Sequence, residues 1–202
     1  MVFCSRLVAM NGKLFLIVGP SGSGKGTVIE SLKKRHPDYV FPVSCTTRMP
    51  RPGEVDGDVY SYVSKDDFVK WIREGRFLEW AEVHQNHYYG MLKKPVFDAL
   101  NAGKVVVREI DIQGYTSVAK IVPADNLVGI FILVKDLDEL KRRILSRGKL
   151  PDEEVERRLE SARREIAQSH LCRYQIESVH GQIERMVHDT EAIFEKELRS
   201  RD

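Results

Sequence analysis

A glycine-rich segment that follows an apolar run and opens a helical pattern is the first part of this sequence whose residue types predict chemistry. Glycine lets the backbone curl closely, so that successive N–H groups converge on phosphate oxygens. The helix that follows adds positive partial charge at its N-terminus, and Lys25 can reach the outer phosphates of a nucleotide. The residues predicted to bind these phosphates are Gly19, Pro20, Ser21, Gly22, Ser23, Gly24, Lys25, Gly26 and Thr27.

A second group of residues is suited to a phosphate monoester. Arg48 and Arg51 are three residues apart, beside several hydroxyl side chains, and Tyr60 follows shortly after. Two guanidinium groups can bind a phosphate dianion with paired hydrogen bonds, and a tyrosine hydroxyl can donate one more. In isolation, a charged loop of this kind is as often only a solvated surface.

Residues 44–63, which contain this group, resemble the guanylate kinase signature Thr-Thr-Arg-x-x-Arg-x-x-Glu-x-x-Gly-x-x-Tyr-x-Tyr at every defined position. Residues 77–83, 88–90 and 109–114 are also similar to that family, and the resemblance extends from about residue 13 to 168. The strict phosphate-loop pattern has Ser or Thr after the lysine, whereas here Gly26 precedes Thr27, a variant that is similar to small nucleoside-monophosphate kinases. The resemblance implies transfer of the γ-phosphoryl group of ATP to GMP, with Mg²⁺ accompanying ATP.

The resemblance also implies roles for individual residues. The expected contacts to the phosphate of GMP are Arg48, Arg51, Tyr60 and Tyr89, and those to guanine are Ser44, Glu79 and Asp111. The expected catalytic residues are Lys25, Arg48, Arg143, Arg147 and Arg158, of which the last three match lid arginines of the family. Glu109 and Asp111 are expected to orient magnesium through bound water. Glu79 is the expected selector of the base, because a carboxylate can accept from both N1–H and the exocyclic amine of guanine.

Two segments depart from the family pattern. After Tyr88-Tyr89-Gly90 the family has Thr or Ser, whereas this chain has Met91, and an extra residue precedes it near His87. We therefore expect one hydrogen bond to the base to be missing. Residues 175–181 replace the strand and Asn-Asp pair of the family, so that no adenine contact is predicted from them.

Short apolar runs alternate with helical patterns, which favours an α/β fold: a P-loop kinase with a parallel sheet core, an inserted and mostly antiparallel GMP-binding lobe, and a helical lid. The core is predicted over residues 13–39, 96–135 and 169–202. The lobe is predicted over residues 40–95, where glycines, prolines and most aromatic residues concentrate, and the lid over residues 136–168. All belong to one predicted domain, residues 1–202.

Composition excludes several classes of protein. Thirty-two basic and thirty acidic residues leave a net charge of +2, which does not favour binding to nucleic acid. The longest apolar runs are far shorter than the ~20 residues of a membrane span, and Arg6 interrupts the first apolar segment, so neither a membrane segment nor a signal peptide is expected. Three widely spaced cysteines predict reduced thiols and a cytoplasmic location. Oligomeric state stays open.

Two other functions fit parts of the sequence. One is phosphorylation of another small phosphomonoester, against which Glu79 and the arginine pair favour GMP. The other is a non-catalytic guanylate-kinase-like module that binds phosphopeptides through the same arginines. Lys25 favours an enzyme, because such modules tend to lose the phosphate loop.

Overall fold

The structure is a computed structural model that describes residues 10–51, 53–58, 60–83, 87–146, 148 and 150–199. The strands are β1 (Lys13–Val18), β2 (Ser44–Thr46), β3 (Tyr60–Tyr62), β4 (Phe77–Val83), β5 (His87–Leu92), β6 (Val105–Ile110), β7 (Leu127–Leu133) and β8 (Tyr174–Glu177). The helices are α1 (Lys25–Arg35), α2 (Lys65–Arg73), α3 (Lys93–Asn101), α4 (Ile112–Val118), α5 (Leu137–Leu145), α6 (Asp152–Ala167) and α7 (Ile183–Arg199). None of the described helices is both long and apolar enough to span a membrane.

The apolar runs form a four-stranded parallel sheet in the order β6-β1-β7-β8. At the carboxyl end of β1, one of the two inner strands, Val18 pairs with Ile110 of β6 and with Phe131 of β7. The carboxyl ends of these parallel strands meet at one edge, so the glycine-rich loop after β1 lies beside the residues that end and follow β6.

Both faces of this sheet are covered, which explains why β1 is buried at every position. Leu14 and Leu16 face one apolar cluster, to which α3 and α4 contribute. Phe15 and Ile17 face a second cluster formed with α1 and α7, in which the rings of Phe15 and Phe194 lie 4.2 Å apart. Burial on both sides fixes the strand that carries the glycine-rich loop.

The second sheet has the order β3-β2-β5-β4. Two of its strand pairs, β2 with β5 and β4 with β5, are antiparallel, and β2 with β3 is parallel. A small apolar cluster of Cys45, Phe68 and Phe77 fixes α2 to this sheet. The predicted α/β fold, with a parallel core sheet and a mostly antiparallel second sheet, is therefore confirmed. The lobe boundaries stay predictions; Val40, at the first of them, forms a bridge to Val106 of the core sheet.

Helices α5 and α6 form a pair with its own apolar contact surface. Asp136 caps α5, because its side chain accepts the backbone N–H groups of Asp138 and Glu139 at 2.9 and 3.2 Å. The helix ends at Leu145, before Gly148. The apolar cluster contains Val134, Leu140, Ile144, Val155, Leu159 and Ala162. Because most of these residues come from the two helices, the pair packs largely on itself.

Helix α7 is fixed to the core sheet by a buried ion pair. Lys13 Nζ donates to Glu197 Oε2 at 2.9 Å, and the two side chains are only 5% and 2% exposed. The hydroxyl of Tyr174 donates to Glu197 Oε1 at 2.6 Å, and Arg173 donates to Oε2 at 3.1 Å. One carboxylate near the end of α7 therefore connects the starts of β1 and β8.

Two cysteines lie in the interior. Cys45 on β2 and Cys172 before β8 are buried and free. Burial raises the pKa of both thiols, that of Cys172 to about 12. Cys4 lies outside the described residues.

Candidate active site

The loop between β1 and α1 has the backbone conformation of a phosphate-binding loop. Gly19 and Gly24 have φ angles of 144° and 99°, which favour glycine, and a Cβ on Gly19 would lie 2.7 Å from the carbonyl oxygen of Ile132. Lys25 begins α1, and its Nζ donates to the carbonyl oxygens of Gly19 and Pro20 at 2.5 and 3.0 Å. The structure thus places the predicted phosphate-binding lysine over a curled loop at a helix N-terminus.

A cavity of about 500 Å³ opens between this loop, the carboxyl edge of β6 and the second sheet. Its lining residues are Gly19, Ser21, Gly22, Gly24, Lys25, Gly26, Ser44, Tyr60, Tyr89, Arg108, Glu109, Ile110, Asp111 and Glu165. Predicted donor-side and acceptor-side residues therefore share one cavity, although they come from distant parts of the chain.

Carboxylates line this cavity beside the phosphate-binding loop. A Cβ on Gly26 would lie 3.7 Å from Glu109 Oε2, and Asp111 caps α4. Glu165 enters from α6; burial raises its pKa, the charge of Asp111 raises it further, and Lys25 lowers it. Within the described part of the chain, Glu165 Oε2 has no hydrogen-bond partner. These oxygens suit a hard cation such as Mg²⁺.

The same carboxylates do not form a metal cage by themselves. Among the described residues there is no group of three His, Cys, Asp or Glu side chains that could hold a metal ion. Mg²⁺ usually keeps several waters and takes its other ligands from one or two carboxylates and the substrate phosphates. The residues present therefore fit a magnesium ion that arrives with a nucleotide.

Glu79 lies on β4 directly opposite Met91 of β5. Burial raises the pKa of Glu79 to about 7, and the charge of Asp111 contributes to this increase. Arg108 and the backbone N–H of Met91 act in the opposite direction. The Met91 side chain is 1% exposed and packs in the main apolar cluster, so it offers no hydrogen-bond donor there.

Arg48 is held by a carboxylate of its own loop. Its Nη1 and Nη2 donate to Glu54 Oε2 and Oε1 at 2.8 and 3.0 Å. Hydrogen bonds from Arg48, the backbone N–H of Arg51 and the Tyr62 hydroxyl lower the pKa of Glu54 to about 2, and Glu54 in turn raises the pKa of Arg48. The Arg51 side chain is exposed. Of the two predicted phosphate-binding arginines, Arg48 therefore has a side chain held by Glu54, whereas the side chain of Arg51 is exposed.

Tyr60 and Tyr89 bring this arginine close to the cavity. Their rings meet edge to face with centroids 5.6 Å apart, and both line the cavity. The guanidinium of Arg48 lies 5.5 Å from the ring centroid of Tyr60. Arg48 and Arg51 are not among the lining residues.

Arg143 lies in a neighbouring cavity of about 310 Å³ on the other side of the loop. Its Nε donates to Glu139 Oε1 and its Nη1 to Ser178 Oγ, both at 2.8 Å. Thr27 and His180 line the same cavity, which shares Gly22 and Gly24 with the first one. Thr27, the hydroxyl residue displaced by one position in the loop, thus lies in a different cavity from Glu109 and Asp111.

Arg158 lies in a third cavity, of about 430 Å³. Its Nε donates to Glu154 Oε1 at 2.7 Å. Ser21 and Glu165 line this cavity as well as the first one. Arg147 lies outside the described residues. The described lid arginines therefore lie around the phosphate-binding loop but not inside the central cavity.

Comparison with known proteins decides the family. The sequence model of guanylate kinase matches residues 11–197. The chain belongs to the guanylate kinase family. It is 40% identical over 186 residues to the guanylate kinase of Carboxydothermus hydrogenoformans, covering 92% of this chain and 89% of that protein.

Other guanylate kinases agree with this result. The chain is 46% identical over 153 residues to the guanylate kinase of Helicobacter pylori, covering 76% of this chain and 73% of that one. The crystal structure of guanylate kinase from Anaplasma phagocytophilum matches with a TM-score of 0.71 and 28% identity, covering 94% of this chain and 86% of that chain. Sequence and fold thus place the cavity in a guanylate kinase.

Three residues of this guanylate kinase site were not singled out from the sequence. Glu54 is part of the signature, but its role in holding the Arg48 guanidinium is visible only from the two hydrogen bonds in the structure. Glu165 belongs to a strongly charged helix, and from the sequence alone any one of its carboxylates is predicted to be a surface residue. Arg108 follows three valines in a strand, and no motif marks it. The last two became visible only because the fold directs them into the cavity.

Proposed function

We propose that this protein transfers the γ-phosphoryl group of ATP to GMP, giving ADP and GDP. The observation that carries the proposal is the central cavity, where the phosphate-binding loop with Lys25 faces Ser44, Tyr60, Tyr89 and Asp111. Membership of the guanylate kinase family supports the same reaction.

On the donor side, the N–H groups of the loop and the start of α1 bind the phosphates of ATP. Lys25 exchanges its bonds to the loop carbonyls for bonds to the outer phosphates. Glu109 and Asp111 orient the water around Mg²⁺, which neutralises charge on the phosphates when bound. Their position at the edge beside the loop supports this role.

On the acceptor side, Arg48, Arg51, Tyr60 and Tyr89 bind the phosphate of GMP. Glu54 holds the Arg48 guanidinium in a fixed orientation, which reduces the entropy lost when the phosphate binds. Ser44, Glu79 and Asp111 bind guanine. In its ionised form, Glu79 accepts from both donors on the guanine edge, and adenine lacks that pair of donors.

The reaction is a direct transfer, so it needs no protein nucleophile. Movement of α5 and α6 brings Arg143, Arg147 and Arg158 over the transferring group. There their charges stabilise the phosphoryl oxygens, and closure excludes water. The cytoplasmic location predicted from the cysteines stays a prediction.

The test is an assay of ADP release with GMP, dGMP, AMP and CMP as acceptors. We expect turnover with GMP that far exceeds turnover with AMP and CMP. Turnover that is faster with AMP or CMP would favour another phosphomonoester. Tight binding of a phosphopeptide without any ADP release would favour the non-catalytic module.

A further inference from the structure

Arg108 places a guanidinium group inside the central cavity without belonging to any motif that predicts one. It lies on β6, where it pairs with Leu16 of the neighbouring inner strand β1, and it lines the cavity. Its Nη1 donates to the carbonyl oxygen of Pro42 at 3.1 Å, and its Nη2 donates to Ser44 Oγ at 2.7 Å. Two contacts to the segment that carries Ser44 fix the direction of this side chain.

The surroundings of Arg108 are acidic. Glu109 and Asp111 follow it in the chain and line the same cavity. Burial raises the pKa of Glu79 and of Tyr60, and the charge of Arg108 opposes the increase in both. Nevertheless, both of the hydrogen bonds given above go to neutral oxygens. Since a guanidinium has five N–H donors, these two bonds leave donor capacity for a ligand in the cavity.

The edge of guanine has one acceptor beside two donors. Glu79 is not among the residues that line the cavity, but the charges of two lining residues, Asp111 and Arg108, act on its carboxyl group. The donors N1–H and the 2-amine suit the carboxylate of Glu79. The neighbouring acceptor O6 then requires a donor. Arg108 is bonded to Ser44, and its charge acts on Glu79, so it lies near both residues expected to bind the base. Met91, opposite Glu79, has a thioether that cannot donate. Arginine donating to O6 of guanine is a common arrangement in base recognition.

We propose that Arg108 determines base specificity by donating a hydrogen bond to O6 of GMP. The proposal deepens the proposed function and rests on it. Adenine carries an amine where guanine carries O6, so that AMP would direct a donor at the guanidinium. Arg108 therefore rejects adenine in addition to binding guanine.

The test compares GMP with 6-thioguanosine 5′-monophosphate, in which a weakly accepting sulfur replaces O6 while N1–H and the 2-amine remain. The variant is Arg108→Met, which keeps the length of the side chain and removes its donors. We expect kcat/KM for GMP to fall by about 10- to 100-fold, the range for a hydrogen bond to a charged group. For the thio analogue kcat/KM should fall much less, so that the preference for GMP decreases by about tenfold.

An equal fall for both substrates would overturn the proposal, because Arg108 would then act on the protein and not on O6. Repeating the comparison in a Ser44→Ala background separates contact from positioning. We expect the preference still to depend on Arg108 there; if the dependence disappears, Arg108 acts by holding Ser44, and the proposal fails.

Arg76→Met is the matched control, because Arg76 is exposed and stacks on Trp71 away from the cavity. It should leave the preference unchanged. If Arg108→Met does not fold, Arg108→Leu takes its place, because leucine also has no donor, and the same decrease in preference is expected. Absence of GMP turnover in the wild-type protein would contradict the proposed function, whereas an unchanged preference in an active variant contradicts only the role of Arg108.

Discussion

At the scale of single residues, the carboxyl group of Glu79 shows how the fold changes the chemistry of one side chain. Burial and the charge of Asp111 both disfavour its ionised form and raise its pKa to about 7. A glutamate in water titrates near pH 4.3. The residue that reads guanine therefore changes its charge close to neutral pH.

This pKa predicts a pH dependence for the enzyme. The ionised form of Glu79 accepts from both guanine donors, whereas the protonated form loses one acceptor. We expect kcat/KM for GMP to rise with pH through about pH 7, since this parameter reports the free enzyme. Rate measurements between about pH 5.5 and 8.5 check this. Glu79→Gln is the control, and it should lose both this rise and the preference for GMP over AMP. A profile that is flat in the wild-type protein would contradict the role of Glu79.

Lys25 gives a second prediction at the same scale. Its Nζ is bonded to the carbonyl oxygens of the loop proposed to bind ATP, so Lys25→Ala should abolish turnover while GMP binding changes little. Calorimetry with GMP and an ADP-release assay measure the two effects separately. Residual turnover within about tenfold of wild type would mean that Lys25 does not serve the transferring phosphoryl.

At the scale of secondary structure, the buried carboxylate of Glu197 connects three elements that are far apart in sequence. It accepts hydrogen bonds from Lys13 at the start of β1 and from Tyr174 at the start of β8. Because α7 also covers one face of the sheet, this carboxylate holds the helix in position over the core.

Removing one partner of this pair should destabilise the protein strongly. Glu197→Leu leaves Lys13 buried without its carboxylate, which costs about 3–5 kcal/mol in the free energy of unfolding. The double variant with Lys13→Met should recover most of that loss. Urea denaturation measures all three proteins. The exposed pair Lys94 and Asp98 provides the control, and Lys94→Met should cost less than about 1 kcal/mol. A similar small cost for Glu197→Leu would show that the buried pair does not fix α7.

The sequence predicted those elements whose signals are local. The phosphate-binding loop follows a buried strand and opens a helix, so its neighbours in sequence are enough to define it. Asp136 likewise marks the start of α5. Strand β8 was obscured by the unusual residues after Tyr174, yet pairing with β7 still forms it.

Local sequence patterns could not predict contacts between segments that are far apart in the chain. Arg108 and Ser44 are 64 residues apart, and only the packing of the two sheets brings them together. Glu165 similarly lies on α6, far along the chain from the phosphate-binding loop with which it lines the cavity. Burial, and not residue type, distinguishes these side chains from their charged neighbours.

At the scale of the whole molecule, the proposed site is divided among the core sheet, the second sheet and the α5–α6 pair. Arg51 is exposed, and Arg143 and Arg158 lie in cavities beside the central one. All three must approach the phosphates for the proposed reaction. Substrate binding is therefore expected to close the molecule.

Small-angle X-ray scattering tests this closure. We expect the radius of gyration, about 17 Å for a compact chain of this length, to decrease when GMP and a non-hydrolysable ATP analogue bind together. GMP alone should produce a smaller decrease. Arg51→Met is the matched variant, because it removes one contact that would draw the second sheet inward. An unchanged radius with both nucleotides would mean that the lid and the second sheet do not move.

The two interior cysteines make this movement accessible to fluorescence. Because thiolate is the form that reacts with maleimides, a pKa of about 12 leaves Cys172 almost inert at neutral pH. Cys45 is also buried, and its pKa is raised in the same direction. Once Cys4 is replaced by serine, thiols introduced at the surface become the preferred points of dye attachment.

Exposed apolar residues mark suitable positions on each moving part. Val55 lies in the loop before β3, Leu145 ends α5, and Ile121 follows α4 on the core. Dye pairs from Ile121 to Val55 and from Ile121 to Leu145 would follow the two closures independently in single molecules. The order in which acceptor and donor nucleotides close the enzyme then becomes a directly observable sequence of events.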